Sequence, residues 1–117
     1  MTKYEPHEVE RYLADQLPEH ERALRRVVAI VSDAIGSQPV ISYQILGWRH
    51  AGKFVLYVSG WKDHLSIHGQ SRELGEMFGA EHPEWFKLKG TTLWFQAEPE
   101  LPEDLIRDLV AARLARG

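Results

Sequence analysis

The chain has 117 residues, a formal net charge of −3 and 44% hydrophobic residues, which is the range of an ordinary globular protein. This length predicts a single domain, residues 1–117, that can bury its own core without metals or disulfides. The absence of cysteine excludes disulfides and thiolate chemistry, and the acidic balance argues against a nucleic-acid-binding protein.

Two helices are predicted at the N-terminus. Over residues 6–17 the apolar residues recur at helical spacing, at Val9, Tyr12, Leu13 and Leu17. Pro18 fits the first turn of a second helix, and Gly36 is a natural stop just past its end. The apolar stripe of this second helix consists of Leu24, Val27, Val28, Val31 and Ile35.

Three consecutive strands follow, over residues 40–50, 54–61 and 64–68, with short turns at Ala51-Gly52 and Lys62-Asp63. Ser71 can cap a short helix, residues 91–97 predict a late strand, and Pro102 introduces a last helix. We therefore predict an α+β domain. Its antiparallel sheet has about four strands, a three-strand meander plus the late strand, with the N-terminal and C-terminal helices packed on one face.

The period of two along a strand assigns the meander residues to two faces. The face predicted to lie under the helices contains Ile41, Tyr43, Ile45, Phe54, Leu56, Val58, Leu65 and Ile67. The opposite face contains Ser42, Gln44, Leu46, Trp48, His50, Val55, Tyr57, Ser59, Trp61, His64, Ser66 and His68. In this register Tyr57 lies opposite His68, and Trp61 lies opposite His64.

The second of these faces is the candidate ligand-binding face, with Trp48, Tyr57, Trp61, His64 and His68 as its site residues. Aromatic side chains with polar tips suit a partly wet surface, and a large, partly apolar patch marks an interface or a ligand groove. Three interpretations stay open: a second small core beneath the C-terminal helix or the Trp85-Phe86 loop, a homodimer interface, and a small-molecule groove.

Three runs of the sequence form a recognisable pattern, namely ISYQILGWRHAGKFVLYVSGWKDHLSIHG (residues 41–69), KGTTLWF (89–95) and LPEDLIRDLVAARL (101–114). In these runs the sequence resembles the YdhG-like family, a domain of unknown function, and the resemblance covers nearly its whole length. The chain departs from the family pattern where Gln44-Ile45-Leu46-Gly47 replaces the usual Gly-Met-Pro-Ala, and at His68, where an aromatic residue is common. Some members are described as frataxin-like iron chaperones, so the resemblance implies a possible role in iron delivery.

No catalytic motif is present: the sequence has no nucleophile elbow, phosphate-binding loop, dinucleotide fingerprint or zinc-protease helix. We therefore expect a non-catalytic domain that binds a small ligand or a protein partner, as a monomer or homodimer. The N-terminus has no signal-like apolar run, and no stretch approaches the roughly 20 apolar residues of a membrane span. A cytoplasmic protein without membrane or nucleic-acid partners is the expectation.

The alternative function is a frataxin-like iron chaperone that uses acidic residues of the N-terminal helices. Its weak oxygen ligands would be Glu5, Glu8, Asp15 and Glu19, and no other cofactor is expected. The strand histidines do not predict a tight metal site. At about 3.3 Å per residue, the Cα atoms of His64 and His68 lie roughly 13 Å apart.

Overall fold

The computed structural model describes residues 6–116, in which four helices and six strands follow one another as α1–α2–β1–β2–β3–β4–α3–β5–β6–α4. The helices are α1 Pro6–Ala14, α2 Pro18–Ile35, α3 Arg72–Glu81 and α4 Glu103–Ala115. The strands are β1 Val40–Ser42, β2 Ile45–His50, β3 Lys53–Gly60, β4 Leu65–His68, β5 Lys87–Lys89 and β6 Thr92–Phe95. No helix between Pro6 and Arg116 has the length and apolar content that crossing a bilayer requires.

The strands form one antiparallel sheet in the order β1-β2-β3-β4-β6-β5, which confirms the α+β class. The sheet has six strands where about four were predicted. One extra strand arises because residues 40–50 are two strands joined by a turn at Tyr43 and Gln44. Both turn residues have left-handed backbones, with φ of 54° and 66°, as a tight two-residue hairpin requires. The other extra strand is β5.

The four helices pack on one face of the sheet, which we call the helix-covered face. Helices α2 and α4 lie side by side, and Arg107 of α4 donates to Asp33 of α2 at 2.9 Å. Helix α1 adds Val9 and Leu13 to the core. Apolar residues at alternate positions of β3 and β4 are buried beneath the helices, as predicted for Leu56, Val58, Leu65 and Ile67.

Trp48 and Leu46 lie on the helix-covered face, so their predicted placement on the opposite face is wrong. Trp48 is completely buried, and its indole Nε1 donates to Ser32 Oγ of α2 at 3.1 Å. The hairpin turn is the physical reason, because it restarts the alternation of side chains at the beginning of β2. For the same reason Ile45 lies on the opposite face, and Tyr43, in the turn, is 85% exposed.

A β-bulge in β3 changes the face assignment once more. Trp48 pairs with Leu56, whereas the next residue, Arg49, pairs with Phe54. Val55 is therefore the extra residue of the bulge, and it is buried rather than exposed on the opposite face. Phe54, predicted for the helix-covered face, lies instead on the opposite side beside Arg49.

Candidate ligand-binding site

The face of the sheet opposite the helices, which we call the open face, has a depression at its centre. Its floor is formed by Ser59 and Ser66, which are cross-strand partners on β3 and β4 and are both buried. Because these side chains are small and their neighbours are large, they leave a hollow of about 310 Å³. We call it the slot, and its lining consists of Ser59, Trp61, His64, Ser66, His68, Thr92 and Trp94.

One wall of the slot is a stack of three rings. His64 lies against Trp94 with ring centroids 3.6 Å apart, and Trp61 stacks beyond it at 6.4 Å. Two hydrogen bonds fix this wall: Trp61 Nε1 donates to Ser59 Oγ at 2.9 Å, and His64 Nδ1 donates to Asp63 Oδ1 at 2.7 Å. The bond from His64 lowers the pKa of the Asp63 carboxyl, because it stabilises the ionised form.

The opposite wall is a second stack. His68 lies parallel to Tyr57 with centroids 5.1 Å apart, and Phe54 stacks on Tyr57 at 5.4 Å. The predicted pairing of Tyr57 with His68 is confirmed. Burial lowers the pKa of His68, so its imidazole is neutral at pH 7 and one ring nitrogen can accept a hydrogen bond.

Gly47 makes room for the second stack. A Cβ atom at this position would lie 3.0 Å from ring atoms of both Phe54 and Tyr57. That is closer than normal van der Waals contact, so a side chain here would displace the rings. The glycine of β2 therefore positions the Tyr57 wall, although it does not itself line the slot.

Four of the five predicted site residues come together: Trp61, His64 and His68 line the slot, and Tyr57 supports His68. Trp48 is not among them, because the hairpin turn places it in the core. Sequence reasoning missed Trp94 and Thr92, which β6 brings beside β4. The alternation in residues 91–97 indicates that Trp94 and Thr92 share a face, but only the strand order shows that this face adjoins Ser66.

The acidic residues considered for iron are spread over the surface. Glu8 and Asp15 border one shallow hollow, Glu19 borders another, and Glu5 lies outside the described residues. Within residues 6–116, no three His, Asp or Glu side chains come close enough together to hold a metal ion.

A larger hollow of about 750 Å³ lies between α1, α2 and the segment that follows α2. The cation in its lining is Arg25, whose guanidinium donates to both carboxylate oxygens of Glu10, at 3.1 and 2.9 Å, and to Glu21 at 2.9 Å. These partners neutralise the cation. The slot, with the exposed ring of Trp61 and its polar floor, is the better candidate site despite its smaller volume.

No protein-family model matches the sequence, and no curated protein matches it. Among solved structures, the crystal structure of YdhG from Bacillus subtilis, a DUF1801 family protein, superposes with a TM-score of 0.79. The superposition covers 92% of this chain and 88% of that one, at 13% sequence identity. This chain has the YdhG fold.

The resemblance to the YdhG-like family is thus confirmed at the level of the fold, and it extends over nearly the whole chain. A structural likeness at 13% sequence identity establishes a common fold only, so it does not identify a ligand for this chain. The function has to be argued from the slot and its residues.

Proposed function

We propose that this protein is a small, non-catalytic, cytoplasmic domain that binds a planar small molecule in the slot. The observation that supports this proposal best is the combination of a serine floor with aromatic walls on a sheet face away from the helices. Small-molecule sites are typically concave and mostly apolar, with a few polar groups that orient the ligand. The slot has all three properties.

The walls favour a flat ligand. Aromatic rings attract other rings in offset-stacked or edge-to-face arrangements, by about 0.5–1.5 kcal/mol beyond the burial of area. Trp61 is 52% exposed, so a ligand that covers it removes apolar surface from water. At about 310 Å³ the slot is near the lower limit of ligand pockets, roughly 300–1,000 Å³, which favours one ring or two fused rings.

The floor supplies the polar groups that would orient such a ligand. A hydroxyl has one proton to donate and two lone pairs to accept. Ser59 Oγ accepts from Trp61 and is itself fully buried, so it fixes the Trp61 ring rather than contacting a ligand. Ser66 and Thr92 add two further hydroxyl groups to the lining.

A hydrolytic function has less support. Asp63 and His64 form a hydrogen-bonded pair, which matches the acid and the base of a catalytic triad. Within residues 6–116, however, His64 makes no hydrogen bond to Ser59 or Ser66, so a serine nucleophile is not in contact with its base. Binding without chemistry accounts for the arrangement more simply.

Titration with indole, a neutral two-ring probe, followed by amide chemical shifts tests the proposal. We expect indole to shift the amide signals of residues 59, 66, 92 and 94. Trp61→Ala and Trp94→Phe should each weaken binding, while Met77→Ala, which shortens an exposed apolar side chain on α3, should not. The proposal is wrong if the shifts map to the hollow between α1 and α2, or if both slot variants bind indole like the parent protein.

A further inference from the structure

We infer that the slot selects planar aromatic anions, and that Lys87 and Lys89 of β5 hold the anionic group. This inference rests on the proposed function, because it specifies the chemical class of the ligand in the same slot. The group could be a carboxylate, a sulfate or a phosphate, provided that it is attached directly or by a short linker to the ring system.

The first supporting observation is the distribution of charge among the elements. The six strands contain no aspartate or glutamate, and their charged residues are all basic. Each described helix, by contrast, carries at least two acidic residues. The chain as a whole has a net charge of −3, whereas the charged side chains of its sheet are all positive. The basic residues of the strands are Arg49, Lys53, Lys87 and Lys89.

The second observation is the position of the two lysines beside the slot. Lys89 is the cross-strand partner of Thr92 and Lys87 is the partner of Trp94, so both lie on the open face. Directly opposed residues have Cβ atoms about 4.5–5.5 Å apart. Lys89 Nζ lies 5.5 Å from the centroid of the Trp94 ring. A ring bound against this wall would place a substituent within reach of the ammonium group.

The third observation is that these cations have no counter-charge. Within residues 6–116 neither Lys87 nor Lys89 forms an ion pair, and the Asp63 carboxylate contacts His64 rather than either lysine. On the helices and at the end of α4 several arginines are paired with carboxylates, namely Arg25, Arg26, Arg72, Arg107 and Arg116. The positive charge at the β5 edge is therefore available to a ligand.

The competing explanation is that the lysines protect an edge strand, since charged residues discourage pairing with another sheet. That role requires only an exposed charge of either sign. A charge reversal distinguishes the two explanations: Lys89→Glu keeps the edge protected but should abolish selection for anions.

The decisive experiment compares two matched probes, indole-3-carboxylate and the neutral indole-3-carboxamide, by calorimetric and chemical-shift titration at pH 7.5. We expect the carboxylate to bind about tenfold more tightly, the gain of one charge-assisted contact. Lys89→Gln should remove most of this preference and Lys89→Glu should reverse it. Lys53→Gln, which removes a lysine at the far end of the sheet, is the control and should leave the preference unchanged.

Each outcome has a separate meaning. If both probes bind in the slot with equal affinity, the inference about anions is wrong while the proposed function stands. If neither probe binds in the slot, the proposed function itself fails. If Lys53→Gln reduces the preference as much as Lys89→Gln does, general surface charge is responsible and the assignment to the β5 edge is wrong.

Discussion

Trp48 and Trp61 are 13 positions apart in one stretch of sequence, yet they lie in opposite environments. Trp48 is enclosed on the helix-covered face and hydrogen-bonded to Ser32, whereas Trp61 is half exposed beside the slot. The hairpin at residues 43 and 44 produces this difference, because it sets which face each residue of β2 occupies. The side chain alone does not determine whether a tryptophan stabilises the fold or forms a site.

We expect Trp48→Ala to lower the free energy of unfolding by about 3–5 kcal/mol, since it leaves a large cavity in the core. Trp61→Ala should cost about 1 kcal/mol, the order of the hydrogen bond that it donates to Ser59. Urea denaturation of both variants measures this contrast. Equal losses at the two positions would mean that the register of β2 is not the one described.

His68 should make stability depend on pH. Burial lowers its pKa below the ordinary value of 6.5, so the unfolded chain binds a proton at this site more readily than the folded one. The contribution of neutral His68 to the free energy of unfolding is therefore fully present above pH 6.5, and it is lost as the pH falls below that value.

His68→Phe, which keeps a ring beside Tyr57, should therefore lose less stability than the parent protein between pH 7.5 and pH 5.5. The variant His50→Phe controls for removal of an exposed histidine elsewhere on the sheet. Denaturation at both pH values tests the expectation. Identical pH dependence in the parent protein and His68→Phe would count against it.

At the scale of elements, the sequence predicted the face of each strand residue best where the strand runs without a turn or bulge. The alternation along residues 56–58 and 65–68 was assigned to the correct faces, because the turn between β3 and β4 has the expected length. The break at Tyr43-Gln44 was missed because neither residue is a typical turn former. The bulge at Val55 leaves no signal in hydrophobicity, and β5 has only three residues, too few to show a period.

The same hairpin predicts a stabilising substitution. A left-handed backbone costs a non-glycine residue roughly 1–2 kcal/mol, and Gln44 has φ of 66°. Gln44→Gly should therefore raise the free energy of unfolding by about 1 kcal/mol, although part of the gain is offset by the greater freedom of glycine in the unfolded chain. Gln44→Ala keeps the strain and is the matched control. If alanine stabilises as much as glycine does, the conformation of the turn is not the cause.

At the scale of the whole molecule, the acidic side chains of the described residues are distributed over helices and loops rather than gathered at one place. An iron site built from carboxylates needs several of them within one coordination sphere. Glu8 and Asp15 border a different hollow from Glu19, and His64 and His68 belong to opposite walls of the slot. These separations argue for weak metal binding.

Calorimetric titration of the metal-free protein with Fe²⁺ and Zn²⁺ should therefore show affinities weaker than micromolar. The triple variant Glu8→Gln, Asp15→Asn and Glu19→Gln should reduce the weak heat of metal binding only in part, because no single defined site is removed. A sub-micromolar site with fixed stoichiometry that this triple variant removes would restore the iron-chaperone hypothesis.

The two edge strands, β1 and β5, are only three residues long. They offer few unpaired backbone groups, so another copy of the chain gains little by extending the sheet sideways. Two copies that associated through their sheets would instead pack open face against open face. That contact would cover the slot. Self-association and ligand binding would then compete for one surface. A bound ligand would shift the protein towards monomers, and a high protein concentration would lower its apparent affinity for the ligand.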